Sequence, residues 1–221
     1  MTPQQPNMQN ISPAGFDAVI LANGDFPTAE IPLRLLREAP FLCCCDGAAE
    51  AALARGFQPD AIVGDGDSLS STLKSRHASI IHTESEQDDN DLTKATRFCK
   101  AKGFRRIAYL GVTGKREDHT LGNLSLMAHY ALQFGIKPEI YTDHGWFVAA
   151  KGDTELSTFP GQQVSLFNVT CKHVEGEGLK WPPYPYRELW QGTLNEALGT
   201  SIFLHTDGLM MVFRTYLAKK T

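Results

Sequence analysis

Residues 59–68 read PDAIVGDGDS, and the fold turns on how this stretch is read. Ala61–Val63 is a short apolar run rich in β-branched residues, bounded by Pro-Asp before it and glycine after it, which is the signature of a buried strand. The loop that follows, Gly64-Asp65-Gly66-Asp67-Ser68, sets two carboxylates astride a glycine. A buried strand running straight into a polar loop suits an open parallel sheet, where ligands bind beyond the carboxyl ends of the strands.

The pattern extends in both directions. Further strands are predicted at Ala18–Leu21, Phe41–Cys45, Ile80–His82, Ile107–Leu110 and Glu139–Tyr141. Amphipathic stretches separate them at Ala48–Arg55, Leu92–Lys102 and Leu121–Phe134. In the last of these Leu121, Leu124, Ala128, Ala131 and Leu132 recur at helical spacing. Strand and helix in alternation imply an α/β fold, a mostly parallel sheet with flanking helices.

Past Asp143 the helical period fades, and turn residues separate β-rich runs at Gln163–Val169, Ser201–His205 and Leu209–Thr215. Thr206-Asp207-Gly208 reads as the turn of a hairpin between the last two. The expected organisation is a disordered tail over 1–14, an α/β domain over 15–143, and a small antiparallel β domain over 144–221. A β domain this short is marginal alone, so it is expected to pack on the first domain or on another subunit.

Composition narrows the function. A net charge of −4 over 221 residues provides no basic excess for phosphate neutralisation along a nucleic acid. No apolar run approaches the roughly 18 residues of a membrane span. The opening MTPQQPNMQN has neither the basic nor the apolar region of a signal peptide. Of five cysteines, the three consecutive ones at Cys43–Cys45 alternate faces on a strand and cannot converge on one metal, and Cys99 and Cys171 lack a partner at metal-site spacing. They read as small buried residues of a cytoplasmic protein.

The acids fall at strand ends. Asp46-Gly47-Ala48 follows the second strand and GDGDS the third. ESEQDDNDLTKA (84–95) follows the fourth, and GVTGKREDH (111–119) the fifth. Asp65 and Asp67 suit oxygen ligation of Mg²⁺, with nucleotide phosphates completing the shell. The acids gathered before Leu92 make sense if a divalent cation sits among them. GDGDS lacks the third glycine of a dinucleotide fingerprint, and TGKR lacks both the first glycine and the Ser/Thr of a P-loop. What remains at 113–118 is a glycine-bearing loop with Lys115 and Arg116 before a helix start, a feature that attracts anions. Lys94, on the same helical face as Asp91, can pair with it or reach a phosphate.

Taken together, Asp46-Gly-Ala, PDAIVGDGDS, EQDDNDLTKA, the glycine-to-histidine loop at 114–119 and GLKW (178–181) resemble the thiamin pyrophosphokinase family. The resemblance implies a Rossmann-like α/β domain joined to a β-sandwich domain in a homodimer with sites shared between subunits. It implies pyrophosphoryl transfer from ATP to the thiamine hydroxyl with Mg²⁺, releasing AMP. By motif, Asp65, Asp67 and Asp91 would hold the metal, and with Asp118 form the catalytic set. Asp46, Lys94, Lys115, Arg116 and Asp118 would lie on the ATP side, and Gln87, Trp181 and Asn195 on the thiamine side. An aromatic face such as Trp181 is apt beside a cationic ring. Asn90, Lys115 and Leu194 stand where many relatives carry threonine, glycine and serine. Two other readings stay open on the residues alone: a metal-dependent nucleotide-sugar glycosyltransferase using the Asp-x-Asp pair, and a non-catalytic thiamine- or nucleotide-sensing module.

Overall fold

A computed structural model describes residues 15–84, 86 and 88–218. These fall into two compact units that divide between Asp143 and His144. The tail expected over 1–14 lies outside the described residues.

In the first unit the order is β1 (Ala18–Leu21), α1 (Glu30–Arg37), β2 (Leu42–Cys45), α2 (Asp46–Ala54), β3 (Ala61–Gly64), α3 (Ser71–Arg76), β4 (Ile81–Thr83), α4 (Asp91–Ala101), β5 (Arg106–Leu110), α5 (Glu117–His129) and β6 (Lys137–Tyr141). The strands are parallel and lie in the order β6-β5-β1-β2-β3-β4. They are short, and β1, β2 and β3 are buried at every position and apolar because helices cover the sheet there. Cys43, Cys44 and Cys45 fill β2 as free buried thiols, as expected of small core residues.

The chain steps outward from β1 through β4, then crosses back to lay β5 on the other side of β1. That reversal opens a crevice beyond the carboxyl ends of β1 and β5, the place where open α/β sheets bind ligands.

Two helices show how the unit is tied together. Asn90 caps α4, its Oδ1 accepting from Thr93 N at 2.9 Å, and its amide reaches Asn123 of α5. On the inner side of α4, the Thr93 and Thr96 hydroxyls meet those of Tyr130 and Tyr109 at 2.8 and 3.2 Å. Helix α1 has no side-chain cap of its own at Ala29. Asp143, just past β6, supplies one by accepting from the backbone N–H groups of Thr28 (2.9 Å) and Ala29 (3.0 Å).

The second unit is antiparallel throughout: β7 (Gly145–Ser157), β8 (Gln162–Asn168), β9 (Val174–Glu177), β10 (Asn195–Glu196) and β11 (Ser201–Ala218). The hairpin expected at Thr206–Gly208 is not formed. Ser201 to Ala218 is one strand with a bulge, its register against β7 shifting between Thr206 and Leu209. Asp207 and Gly208 serve a different contact there. Asp207 Oδ1 accepts from Lys172 N (2.8 Å) and His173 N (2.9 Å), and Gly208 lies against the Thr170–Cys171 backbone with no room for a Cβ. The halves of β11 on either side of the bulge send Ile202 and Leu204, then Met210 and Val212, into one core with Val148, Val164 and Leu166. The arrangement is that of a folded-over β layer. No helix among the described residues is long and apolar enough to cross a membrane.

Candidate active site

Asp46 is the first residue of α2, placed there because β2 runs directly into the helix. Its carboxylate is buried, with 1% exposure, and accepts from Gly47 N (2.5 Å) and Gly66 N (3.0 Å). Asp65, at the end of β3, and Asp91, the first residue of α4, meet it. One oxygen of each of the three lies within 4.8 Å of the others. Crowding and burial act on the protons. Asp91 is pushed up to about 6, first by desolvation, then by the charge of Asp46 and a hydrogen bond with it, while Lys94 pulls the other way. Three hard oxygen donors at this spacing suit a small divalent cation such as Mg²⁺, which would relieve the repulsion that raises Asp91.

The expected metal set was Asp65, Asp67 and Asp91. The structure brings Asp46 to the cluster and leaves Asp67 outside it, exposed, its N–H donating to Asp65 Oδ1 at 3.0 Å. Sequence spacing favoured the Asp-x-Asp pair; between the two residues Gly66 takes left-handed backbone (φ 84°), and it is Asp46 that joins the cluster instead.

The acids of residues 84–91 divide as well. Arg97, two turns into α4, gathers Glu84 (3.0 Å), Glu86 (2.5 Å) and Asp89. Only Asp91 of this run joins the cluster. Three of the five acids in ESEQDDND therefore share one guanidinium.

Beside the cluster lies a cleft of about 310 Å³ at the crevice between β1 and β5. Its polar lining includes Asn23, Asn90, Asp91, Lys115, Arg116 and His119. The β1 and β5 loops are laced together by Gly24 N to Gly111 O (2.6 Å) and Asp25 N to Thr113 O (2.8 Å). A Cβ on Gly24 would stand 2.3 Å from Thr113 O, so only glycine permits the lacing. Gly114 and Lys115 both take left-handed backbone, and Lys115 Nζ crosses the mouth to donate to Asn23 Oδ1 at 2.9 Å. Arg116 is paired with Asp118 at 2.5 Å, both exposed, and the guanidinium holds that carboxyl below its usual range. Lys94 is buried with its ammonium 3.7 Å from Asp91.

On the second unit, Trp181 is half exposed (54%), with Lys180 Nζ 5.0 Å from its ring centroid. Asn195 is buried and fully engaged with backbone. Its Oδ1 accepts from Trp181 N (3.1 Å) and Glu196 N (2.8 Å), and its Nδ2 donates to Trp181 O (2.7 Å). It fixes the carriage of the tryptophan. Gln87 lies outside the described residues. The sequence reading missed Asn23 and Gly24, although Ala22-Asn-Gly-Asp-Phe26 follows β1 at the switch point and carries the turn residues of a ligand loop.

Comparison with known proteins fits this geometry. The family model described as "Thiamin pyrophosphokinase, catalytic domain" matches residues 33–139, and "Thiamin pyrophosphokinase, substrate-binding domain" matches 145–213. No curated protein sequence matches the chain. Among solved structures, thiamine pyrophosphokinase from Bacillus subtilis superposes with a TM-score of 0.72 at 19% identity, over 89% of this chain and 97% of that one. The enzyme from Geobacillus thermodenitrificans gives 0.72 at 23% identity, over 89% and 96%. That from Candida albicans gives 0.72 at 16% identity, over 90% and 89%. At such identities these likenesses speak for the fold, and the two family models, which between them span most of the sequence, speak for the activity. The chain belongs to the thiamin pyrophosphokinase family, the enzymes that pyrophosphorylate thiamine.

Proposed function

We propose that this enzyme transfers the pyrophosphoryl group of ATP to the hydroxyl of thiamine with the help of Mg²⁺, releasing AMP. The observation that carries the reading is the meeting of Asp46, Asp65 and Asp91 beside a cleft that Lys115 and Arg116 also line. When bound, the cation would neutralise phosphate charge and favour in-line transfer. Asp46, Asp65 and Asp91 are the residues that would hold it.

The chain's own groups supply the rest. Lys115 and Arg116 offer positive charge to the polyphosphate, and Asp118 orients Arg116 through their ion pair. Asp67 and Lys94 border the cluster, Lys94 moderating its negative field from within. Asp91, the one cluster carboxylate that also lines the cleft, is the group we assign to accept the proton of the attacking hydroxyl. Trp181, held by Asn195, offers an aromatic face to a cationic ring, and Lys180, whose ammonium stands 5.0 Å from the ring centroid, would have to yield that face to it. The enzyme acts as a cytoplasmic homodimer whose sites are shared between subunits.

The test is the production of AMP from ATP by the purified chain, followed with thiamine or Mg²⁺ left out in turn. Dependence on both supports the proposal. AMP formation without thiamine, or sugar transfer from a nucleotide sugar, would sink it.

A further inference from the structure

We infer that Asn23 is a positioning residue for the reaction, holding the Lys115 ammonium over the cleft while leaving its charge unspent. The inference rests on the reading of the 113–116 loop as the polyphosphate side of the site. An exposed lysine ordinarily sweeps a wide volume, and fixing it on a ligand costs rotamer entropy. Lys115 is restrained twice. Its backbone is left-handed (φ 60°), a conformation unfavourable to a residue with a Cβ, which sets the direction in which the side chain leaves the loop. Its Nζ then donates to Asn23 Oδ1 at 2.9 Å.

Asn23 is itself fixed. The lacing of the β1 and β5 loops sets its backbone, and its amide lies so close to Gly47 at the start of α2 that a Cβ there would stand 2.3 Å from Nδ2. The chemistry of the acceptor matters. A carboxylate at this position would hold the ammonium more strongly and cancel its charge, whereas a carboxamide oxygen orients it and leaves the charge for an incoming phosphate. Two carboxylates are near at hand in sequence terms, Asp25 in the same loop and Asp118 beside Arg116, yet it is the neutral Asn23 that Lys115 meets.

The experiment is a double-mutant cycle on the full chain, reading KM for ATP and for thiamine from initial rates of AMP release. Lys115→Ala should raise the ATP KM on the order of tenfold, as expected for a lost charge-assisted hydrogen bond. Asn23→Ala should raise it several-fold, leave the thiamine KM in place, and add nothing in the Lys115→Ala background. An undiminished effect of Asn23→Ala without Lys115, or no effect with it, overturns the inference while leaving the phosphate reading intact. An unchanged ATP KM in Lys115→Ala removes that reading, and the inference with it. Melting temperature checks that Asn23→Ala is folded. The isosteric Asn23→Asp provides a second reading: it keeps the hydrogen bond but adds a countercharge, so the ATP KM should rise, and an unchanged value overturns the inference.

Discussion

Gly64 passes so close to Asp46 that a Cβ on it would stand 2.7 Å from the carboxyl carbon of that residue. The close approach lets β3 end against the buried carboxylate and carry Asp65 to it. Gly64→Ala should therefore displace Asp46 and cost about 1–3 kcal/mol, the usual toll of overpacking. A thermal melt together with the Mg²⁺ concentration for half-maximal rate checks this, and a variant with both unchanged would show that the contact is slack.

Removal of one cluster charge should be felt as loss of metal dependence more than as loss of fold. Asp46→Asn, Asp65→Asn and Asp91→Asn are each expected to abolish transfer at limiting Mg²⁺. Asp67→Asn should retain substantial turnover, since its carboxylate lies outside the group. Titrating Mg²⁺ against the rate for all four variants decides the membership. If Asp67→Asn proves as damaging as Asp65→Asn, the Asp-x-Asp assignment returns.

Stability should carry the mark of Asp91. Its folded-state value of about 6 lies above that of an unfolded aspartate, so the folded metal-free protein binds the extra proton. The associated stability is fully present below the unfolded value near pH ~4 and lost as pH rises through about 6. In EDTA, the gap in melting temperature between wild type and Asp91→Asn should therefore shift against the wild type between pH 5 and 7. A gap that does not move with pH contradicts the raised value.

Loss of the indole in Trp181→Ala should raise the KM for thiamine far more than that for ATP, by the equivalent of about 1–2 kcal/mol. Asn195→Ala should do the same more mildly, because the tryptophan keeps its ring and loses its backbone clamp. Equal effects on both substrates would make Trp181 a packing residue.

If each site is shared between subunits, mixing inactive Asp91→Asn with inactive Trp181→Ala should restore part of the activity after exchange, because one of the two mixed sites is then undamaged. Exchange shown by a separate label with no recovery assigns each site to one chain.

Much of this was legible in the sequence. The inner strands were readable because buried strands are continuous apolar runs, and β1 at Ala18–Leu21 coincides with its expected span. Helices α1 and α3 went unread, α1 for want of a local cap, since its cap is Asp143, distant in sequence. Thr206-Asp207-Gly208 has the composition of a turn whether it reverses the chain or merely bulges it, and only the docking of residues 170–173 decides between them. The acid-rich run showed that charge is concentrated there, but not that Arg97 claims three of its members. That pairing depends on α4 bringing Arg97 back over the loop, a matter of helix geometry and not of composition.

The cap that Asp143 places on α1 bears on how the enzyme emerges from the ribosome. Thr28 and Ala29 are made early, and the carboxylate that satisfies them is made 115 and 114 residues later. Until then the N–H groups of Thr28 and Ala29 lack the carboxylate that accepts from them, and the β6 edge that leads to Asp143 does not yet exist. The nascent first unit should thus remain protease-sensitive while most of its length is out of the tunnel, then lock in a single step as residue 143 clears it.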